Sequence, residues 1–297
     1  MTSNKQPRTI QIFLPSGDPA GIRIAEQTTS ILRLIEVPRS DIAEFVALPE
    51  AKQVGLYFLV SGENKDELYI GQSGEVGARL IQHHRDEKKD WERALVLVSL
   101  TNNLTQTHVL YLESLSIETA KNCQRYSLQN GNGGQKPHTP IPLKADCDQI
   151  HDIARLLLAT LGYPIFEPLT ESVSDTATRV FRCRRTGVDA HGIYTNEGMV
   201  VLKGSSAPMT TKRKTEQRFY DKRDSLLAKG VIAVEGDRFV FQRDYLFQTP
   251  SAATMLLLLA TSNGWVDWKT EQGVTLNDYQ GRTLETVSER AEQAVVN

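Results

Sequence analysis

Cysteine is scarce in this chain: Cys123, Cys147 and Cys183 are the three among 297 residues, and no C-x-x-C pair occurs. Neither a disulfide framework nor a cysteine-built zinc site is expected, and the thiols read as reduced structural residues. Long apolar runs are also missing. The longest covers residues 255–260, far short of the about 20 residues that cross a bilayer, so no membrane partner is expected. The N-terminus, Met1-Thr2-Ser3-Asn4-Lys5-Gln6, lacks the apolar stretch of a secretory signal, which leads to the expectation of a cytoplasmic protein. Excess positive charge is absent as well: 34 Lys and Arg stand against 36 Asp and Glu, a net charge of −2. A nucleic-acid binder normally displaces counterions with surplus basic residues. The total therefore argues against such a partner unless positive charge is concentrated around one groove.

What is present is an ordinary soluble composition, 40% hydrophobic and 24% charged, and a length that favours two domains. Thr9-Ile10-Gln11-Ile12-Phe13-Leu14 reads as a strand stopped by Pro15-Ser16-Gly17-Asp18-Pro19, with further strands expected over residues 21–27 and 31–37. A short helix over 42–48 follows, with Ser40 or Asp41 as its cap. Residues 1–50 thus form a β-rich lead-in without an assigned role. Residues 51–135 alternate strand and helix: strands at 54–60, 67–71 and 94–100, helices at 76–85 and about 108–121. The Gly-rich stretch Gln129-Asn130-Gly131-Asn132-Gly133-Gly134 closes that unit, and Pro137, Pro140 and Pro142 mark a linker. Residues 136–178 hold a helix capped by Asp148 and ending at Leu161, then a second linker. Residues 179–297 form an α+β C-terminal domain with a charged helix at about 215–229, a hairpin around Glu235-Gly236-Asp237, an amphipathic segment at 251–261 and a frayed terminal helix from about Arg282.

One constellation in residues 51–135 carries chemistry. Gly55-Leu56-Tyr57 is followed by Tyr69-Ile70-Gly71, a spacing at which two strands joined by a polar loop pair and bring both tyrosines to one edge. Arg79 and His83, four apart, share a face of the next helix. Glu113 follows on the second helix and Asn130 in the closing loop. This order of Tyr, Tyr, Arg, His, Glu and Asn resembles the GIY-YIG nuclease superfamily, which includes homing endonucleases, some restriction enzymes and the incision domain of bacterial excision repair. The resemblance implies an α/β (α+β) fold, a three-stranded sheet flanked by helices, and metal-dependent hydrolysis of DNA phosphodiester bonds.

Such a reaction needs a nucleophilic water, a proton acceptor, and positive charge for the crowded transition state. By resemblance, Glu113 holds one Mg²⁺ or Mn²⁺, Tyr57 is the general base as phenolate or through a bridging water, and Tyr69 positions it. Arg79 contacts the scissile phosphate, where a planar guanidinium spans two oxygens. His83 stands where the superfamily has Tyr or His, and Asn130 orients Glu113 or closes the site. The chain departs from the superfamily at Gln72, where many members carry Lys. A phenol of ordinary pKa near 10 needs a nearby cation to ionise at neutral pH, which leaves the base assignment open. Glu118 competes with Glu113 for the metal, Asn130 is equally suited to a turn, and His84 and His108 read as surface residues.

Residues 187–277 are similar to a small uncharacterised domain found fused to such nucleases, through Gly198-Met199-Val200-Val201-Leu202-Lys203-Gly204-Ser205, Phe247-Gln248-Thr249-Pro250-Ser251-Ala252-Ala253 and Asn263-Gly264-Trp265-Val266-Asp267-Trp268. The last two stretches also resemble modules of restriction and methylation enzymes. Residues 179–224 are locally basic, and Lys212, Arg213 and Lys214 are candidates for DNA phosphate contacts; a solvated helix face accounts for them equally well. Trp265 and Trp268 are expected in the core. Gly192-Ile193-Tyr194 spells the first motif but lacks its partners downstream and reads as an ordinary strand. The expected function is a metal-dependent DNA endonuclease (a hydrolase) in repair or in restriction of foreign or modified DNA; the alternative is a catalytically silent DNA-binding protein of the same fold.

Overall fold

The computed structural model describes residues 6–61, 66–131, 137–170, 179–185, 187–210 and 216–281. The chain divides between Pro168 and Leu169 into two compact units.

In the first unit the strands are β1 (Ile10–Phe13), β2 (Arg23–Gln27), β3 (Leu32–Pro38), β4 (Gly55–Ser61), β5 (Glu67–Ser73), β6 (Arg93–Ser99) and β7 (Ser127–Leu128). The helices are α1 (Ile42–Ala47), α2 (Val76–Arg85), α3 (Gln106–Cys123) and α4 (Ile141–Thr160). The strands form one sheet in the order β1-β2-β3-β6-β4-β5-β7, antiparallel throughout except for β7, which runs parallel to β5. The α+β class expected from the sequence is what the chain adopts, but the sheet is larger than the three strands anticipated. β3 pairs with β6 over seven residues, from Leu32↔Ser99 to Pro38↔Arg93, so the strands within residues 10–38 extend the same sheet rather than forming a separate lead-in.

Both faces of the sheet are covered, which explains why β4 and β6 read as continuous apolar runs rather than alternating ones. On one face Tyr57, Leu59, Val96 and Val98 pack with Phe45, Val76, Leu80 and Trp91. On the other, Phe58, Ile70, Leu95 and Leu97 pack with Leu112, Ile117, Leu157 and Phe166. The helix expected to begin at Asp148 starts seven residues earlier at Ile141, because Pro142 sits in the first turn, where no backbone N–H is required. Asp148 lies inside it and accepts a hydrogen bond from the Tyr111 hydroxyl at 3.3 Å. At α1 the N-cap is Asp41, one of the two residues expected there; it makes no side-chain bond to the helix, and its carboxylate accepts from the Ser40 hydroxyl.

The second unit holds β8 (Val180–Arg185), β9 (Val188–Thr195), β10 (Gly198–Val201), β11 (Ser206–Pro208), β12 (Ile232–Glu235), β13 (Arg238–Phe241) and β14 (Tyr245–Phe247), with α5 (Gln217–Ala228), α6 (Pro250–Leu258) and α7 (Gly264–Asp267). Its antiparallel sheet runs β12-β13-β11-β9-β10-β14, with β8 added on β9. Trp268 is fully buried and donates its indole N–H to the Pro250 carbonyl at 3.3 Å; Trp265 is half-buried and meets Tyr194 edge to face at 5.3 Å. Tyr194 lies within β9, as an ordinary strand residue. The terminal helix expected from Arg282 lies outside the described residues.

Candidate active site

Tyr57 lies in β4, between β6 and β5, and is 1% exposed. Its neighbour across the strand pair is Gly71, and a methyl group at Gly71 would overlap the Tyr57 ring and hydroxyl. The glycine is therefore needed for close approach, to let the phenol lie across β5. On α2 the buried stripe is Val76, Gly77, Leu80 and His83, which turns Arg79 and His83 toward that phenol. The Tyr57 oxygen accepts a bond from Arg79 Nε at 3.3 Å and lies 2.9 Å from His83 Nε2. The guanidinium has only donors, so the phenol oxygen is the acceptor in that bond, while the direction of the bond to His83 is set by the imidazole tautomer. Tyr69 completes an aromatic triangle, 6.3 Å from Tyr57 and 5.6 Å from His83 between ring centroids.

The ionisation of these groups follows their burial. Desolvation raises the Tyr57 hydroxyl to about 12, opposed by the Arg79 hydrogen bond. His83 is lowered to about 4, first by burial and then by the charges of Lys89 and Arg79, so the imidazole is neutral at pH 7 and free to accept a proton. Glu113, half-buried on α3, has its pKa raised by burial; the backbone N–H of Gln72 and the Arg79 charge favour the ionised form. Its charge is also felt at Tyr57. The competing carboxylate, Glu118, is exposed.

The outer edge of β5 explains how Glu113 and Asn130 are placed. Alternate residues of an edge strand point their N–H and C=O outward, and each pair must find a partner. The Asp66 and Leu68 carbonyls accept from the N–H groups of Ser127 and Gln129, at 2.7 and 2.8 Å. At Ile70 the partner is a side chain: Asn130 Oδ1 accepts from the N–H at 3.0 Å and Nδ2 donates to the carbonyl at 2.7 Å. At Gln72 the outward N–H faces Glu113. Asn130 thus fixes the strand that carries Tyr69. Gln72 itself is bound through its side chain, accepting from Gln106 Nε2 at 2.5 Å. Neither surface histidine joins the cluster: His84 is exposed, and His108 Nδ1 accepts the Thr105 N–H at 3.1 Å at the start of α3.

Two residues of this region carry no sequence signal. Lys89 sits in the turn between α2 and β6, and its ammonium nitrogen lies 3.6 Å from the centroid of the Tyr69 ring. In the sequence it belongs to Arg85-Asp86-Glu87-Lys88-Lys89-Asp90, a mixed-charge run that reads as solvated. Trp91, 1% exposed, donates its indole N–H to the His83 carbonyl at 3.4 Å and stabilises the end of α2.

Among the described residues no group of three His, Cys, Asp or Glu side chains converges, so a metal enclosed by protein ligands does not fit. The single hard carboxylate of Glu113 does fit a Mg²⁺ or Mn²⁺ ion of the kind that keeps several waters and takes its other ligands from a phosphate. In the second unit several of the described basic residues are engaged within the protein. Arg182 pairs with Glu271 at 3.1 Å, Arg184 with Asp189 at 3.5 Å, Arg185 with Asp267 at 2.9 Å and Arg218 with Glu216 at 2.8 Å. Arg223 is 1% exposed and donates to the carbonyls of Pro208, Met209, Leu256 and Leu257, serving α6 as a C-terminal cap. Lys212, Arg213 and Lys214 lie outside the described residues.

Residues 181–280 match a family model described as a domain of unknown function, DUF4357, which covers β8 through α7 of the second unit. No curated protein and no solved structure matches the chain.

Proposed function

We propose that the first unit is a metal-dependent endonuclease that hydrolyses DNA phosphodiester bonds, acting in repair or in restriction of foreign or modified DNA. The observation that carries this reading is the Tyr57 hydroxyl, held between Arg79 Nε and the neutral His83 Nε2 with the Glu113 charge within reach. A phenol with a pKa near 12 does not ionise unaided at neutral pH, so the proton it takes from an attacking water has to be matched by one it gives to His83. The pair therefore acts as a relay: His83 accepts the Tyr57 proton as Tyr57 accepts that of the water. Arg79 donates toward the phosphate oxygens on which negative charge develops, and Tyr69 packs against the imidazole beside Tyr57 and restrains it. Glu113 would hold the Mg²⁺ or Mn²⁺ ion, which when bound supplies Lewis-acid stabilisation of the phosphate and leaving oxygen.

The same desolvation of Tyr57 favours the second reading, a catalytically silent protein that binds DNA through this cluster. Nicking of supercoiled plasmid with Mg²⁺ or Mn²⁺ separates the two. Wild-type nicking should fall roughly 10²- to 10⁴-fold in Tyr57→Phe and be lost in Glu113→Ala. Nicking no greater than the Glu113→Ala background, on both unmodified and modified DNA, would end the enzyme reading and leave the binding one.

A further inference from the structure

We infer that Lys89 is a second phosphate-binding cation of the Tyr57 site, held ready by the face of the Tyr69 ring. The inference rests on reading that site as one that receives a nucleic-acid phosphate. A lysine in a surface turn normally extends its ammonium into water, where hydration and chain entropy both favour it. Lys88, one residue earlier, is exposed in this way, whereas Lys89 is half-buried with its ammonium over the ring. Burial lowers its pKa, and so does Arg79, so two positive groups face one cluster of phenols. Asp86 offsets this in part, yet no carboxylate among the described residues forms an ion pair with Arg79 or Lys89. The cation–π contact repays some of the cost of keeping an ammonium there. An incoming anion that both cations can neutralise offsets the remainder.

The turn that carries Lys89 is fixed rather than free to drift. Arg39, following β3, donates Nη1 to the carbonyls of Lys89 and Trp91 and Nη2 to that of His84, each at 3.3 Å. Its guanidinium also stacks on Trp91 at 5.2 Å. The N-terminal strands thereby hold the lysine backbone against the site, and the Tyr69 ring holds its tip. A phosphodiester bears its charge on oxygens that one guanidinium and one ammonium can contact from two directions, and in a duplex the next phosphate along the strand also lies within a lysine's length.

The test is fluorescence anisotropy of a labelled 20-base-pair duplex with the full-length protein, in EDTA to prevent cutting, across a range of NaCl concentrations. Lys89→Gln should weaken binding several-fold and reduce the slope of log K against log salt by about 0.9, the value for one lost phosphate contact. Lys89→Arg, which keeps the charge, should retain the wild-type slope, and Lys88→Gln, which removes the same charge next door, should leave it unchanged. A Lys89→Gln effect no larger than that of Lys88→Gln overturns the assignment. If Arg79→Gln weakens binding in that case, the phosphate site stands without Lys89. If Arg79→Gln is also silent and no Glu113-dependent nicking is seen, the reading of the site fails along with it.

Discussion

At Tyr57 burial and hydrogen bonding act in opposite directions, and burial wins: the hydroxyl is harder to ionise than a free phenol despite the guanidinium beside it. His83 is shifted in the complementary sense, since the same desolvation disfavours its charged form and keeps the imidazole neutral. This has a consequence for stability. The folded value of about 4 lies below the ordinary 6.5, so as pH falls through 6.5 the unfolded chain takes up a proton that the folded chain refuses. Stability is lost progressively from about pH 6.5 downward and the loss levels off below about pH 4, reaching at most roughly 3 kcal/mol. Urea midpoints at pH 7.5 and pH 4.5 should therefore differ more for the wild type than for His83→Gln, which has no proton to gain. An equal pH dependence in the two proteins would show that the imidazole is not held neutral. His151, buried against Phe166 on α4, is also lowered and contributes with the same sign, which is why the comparison is between variants.

At the scale of elements, the site is organised along the free edge of β5. A strand with one unpaired side would ordinarily leave its amides exchanging with water. Here the two-residue strand β7 and then the Asn130 side chain continue the pairing that a full strand would give, and Glu113 meets the next amide along. Asn130→Ala should remove both bonds to Ile70 and destabilise the first unit by about 1–3 kcal/mol, the cost of leaving a part-buried donor and acceptor unmet. Hydrogen exchange at the Ile70 amide should accelerate in that variant. Protection equal to wild type would mean that the carboxamide does not pair the strand. The turn between α2 and β6 is a second case, since its carbonyls are gathered by Arg39 from an element more than forty residues away.

For the whole molecule, the two units each enclose a core of their own, one around β4 and β6 and the other around Phe239, Phe241 and Trp268. The second unit's exposed arginines are mostly paired with neighbouring carboxylates, so any DNA contact it makes depends on residues other than those pairs, with Lys212, Arg213 and Lys214 as the candidates from the sequence. Deleting residues 179–297 should lower affinity for a 20-base-pair duplex and flatten its salt dependence while leaving the first unit folded. Unchanged affinity in the same anisotropy assay would remove DNA binding from the second unit.

The sequence by itself determined the strand and helix positions of residues 54–121 to within a few residues, and it singled out Tyr57, Tyr69, Arg79, His83 and Glu113 as one group. The element positions were legible because apolar runs and helical spacing are local features, and the grouping came from the family resemblance carried by the order of chemical types along the chain. Gly71 was legible as part of a motif, although its reason, the Tyr57 ring lying across it, was not. Only the tertiary structure decided that residues 10–38 extend the same sheet, that Asn130 pairs with Ile70, and that Lys89 lies on Tyr69. Each of these depends on which backbone edge is left unpaired or which turn folds back over which ring. A contact of that kind leaves no periodic trace in the residues that make it.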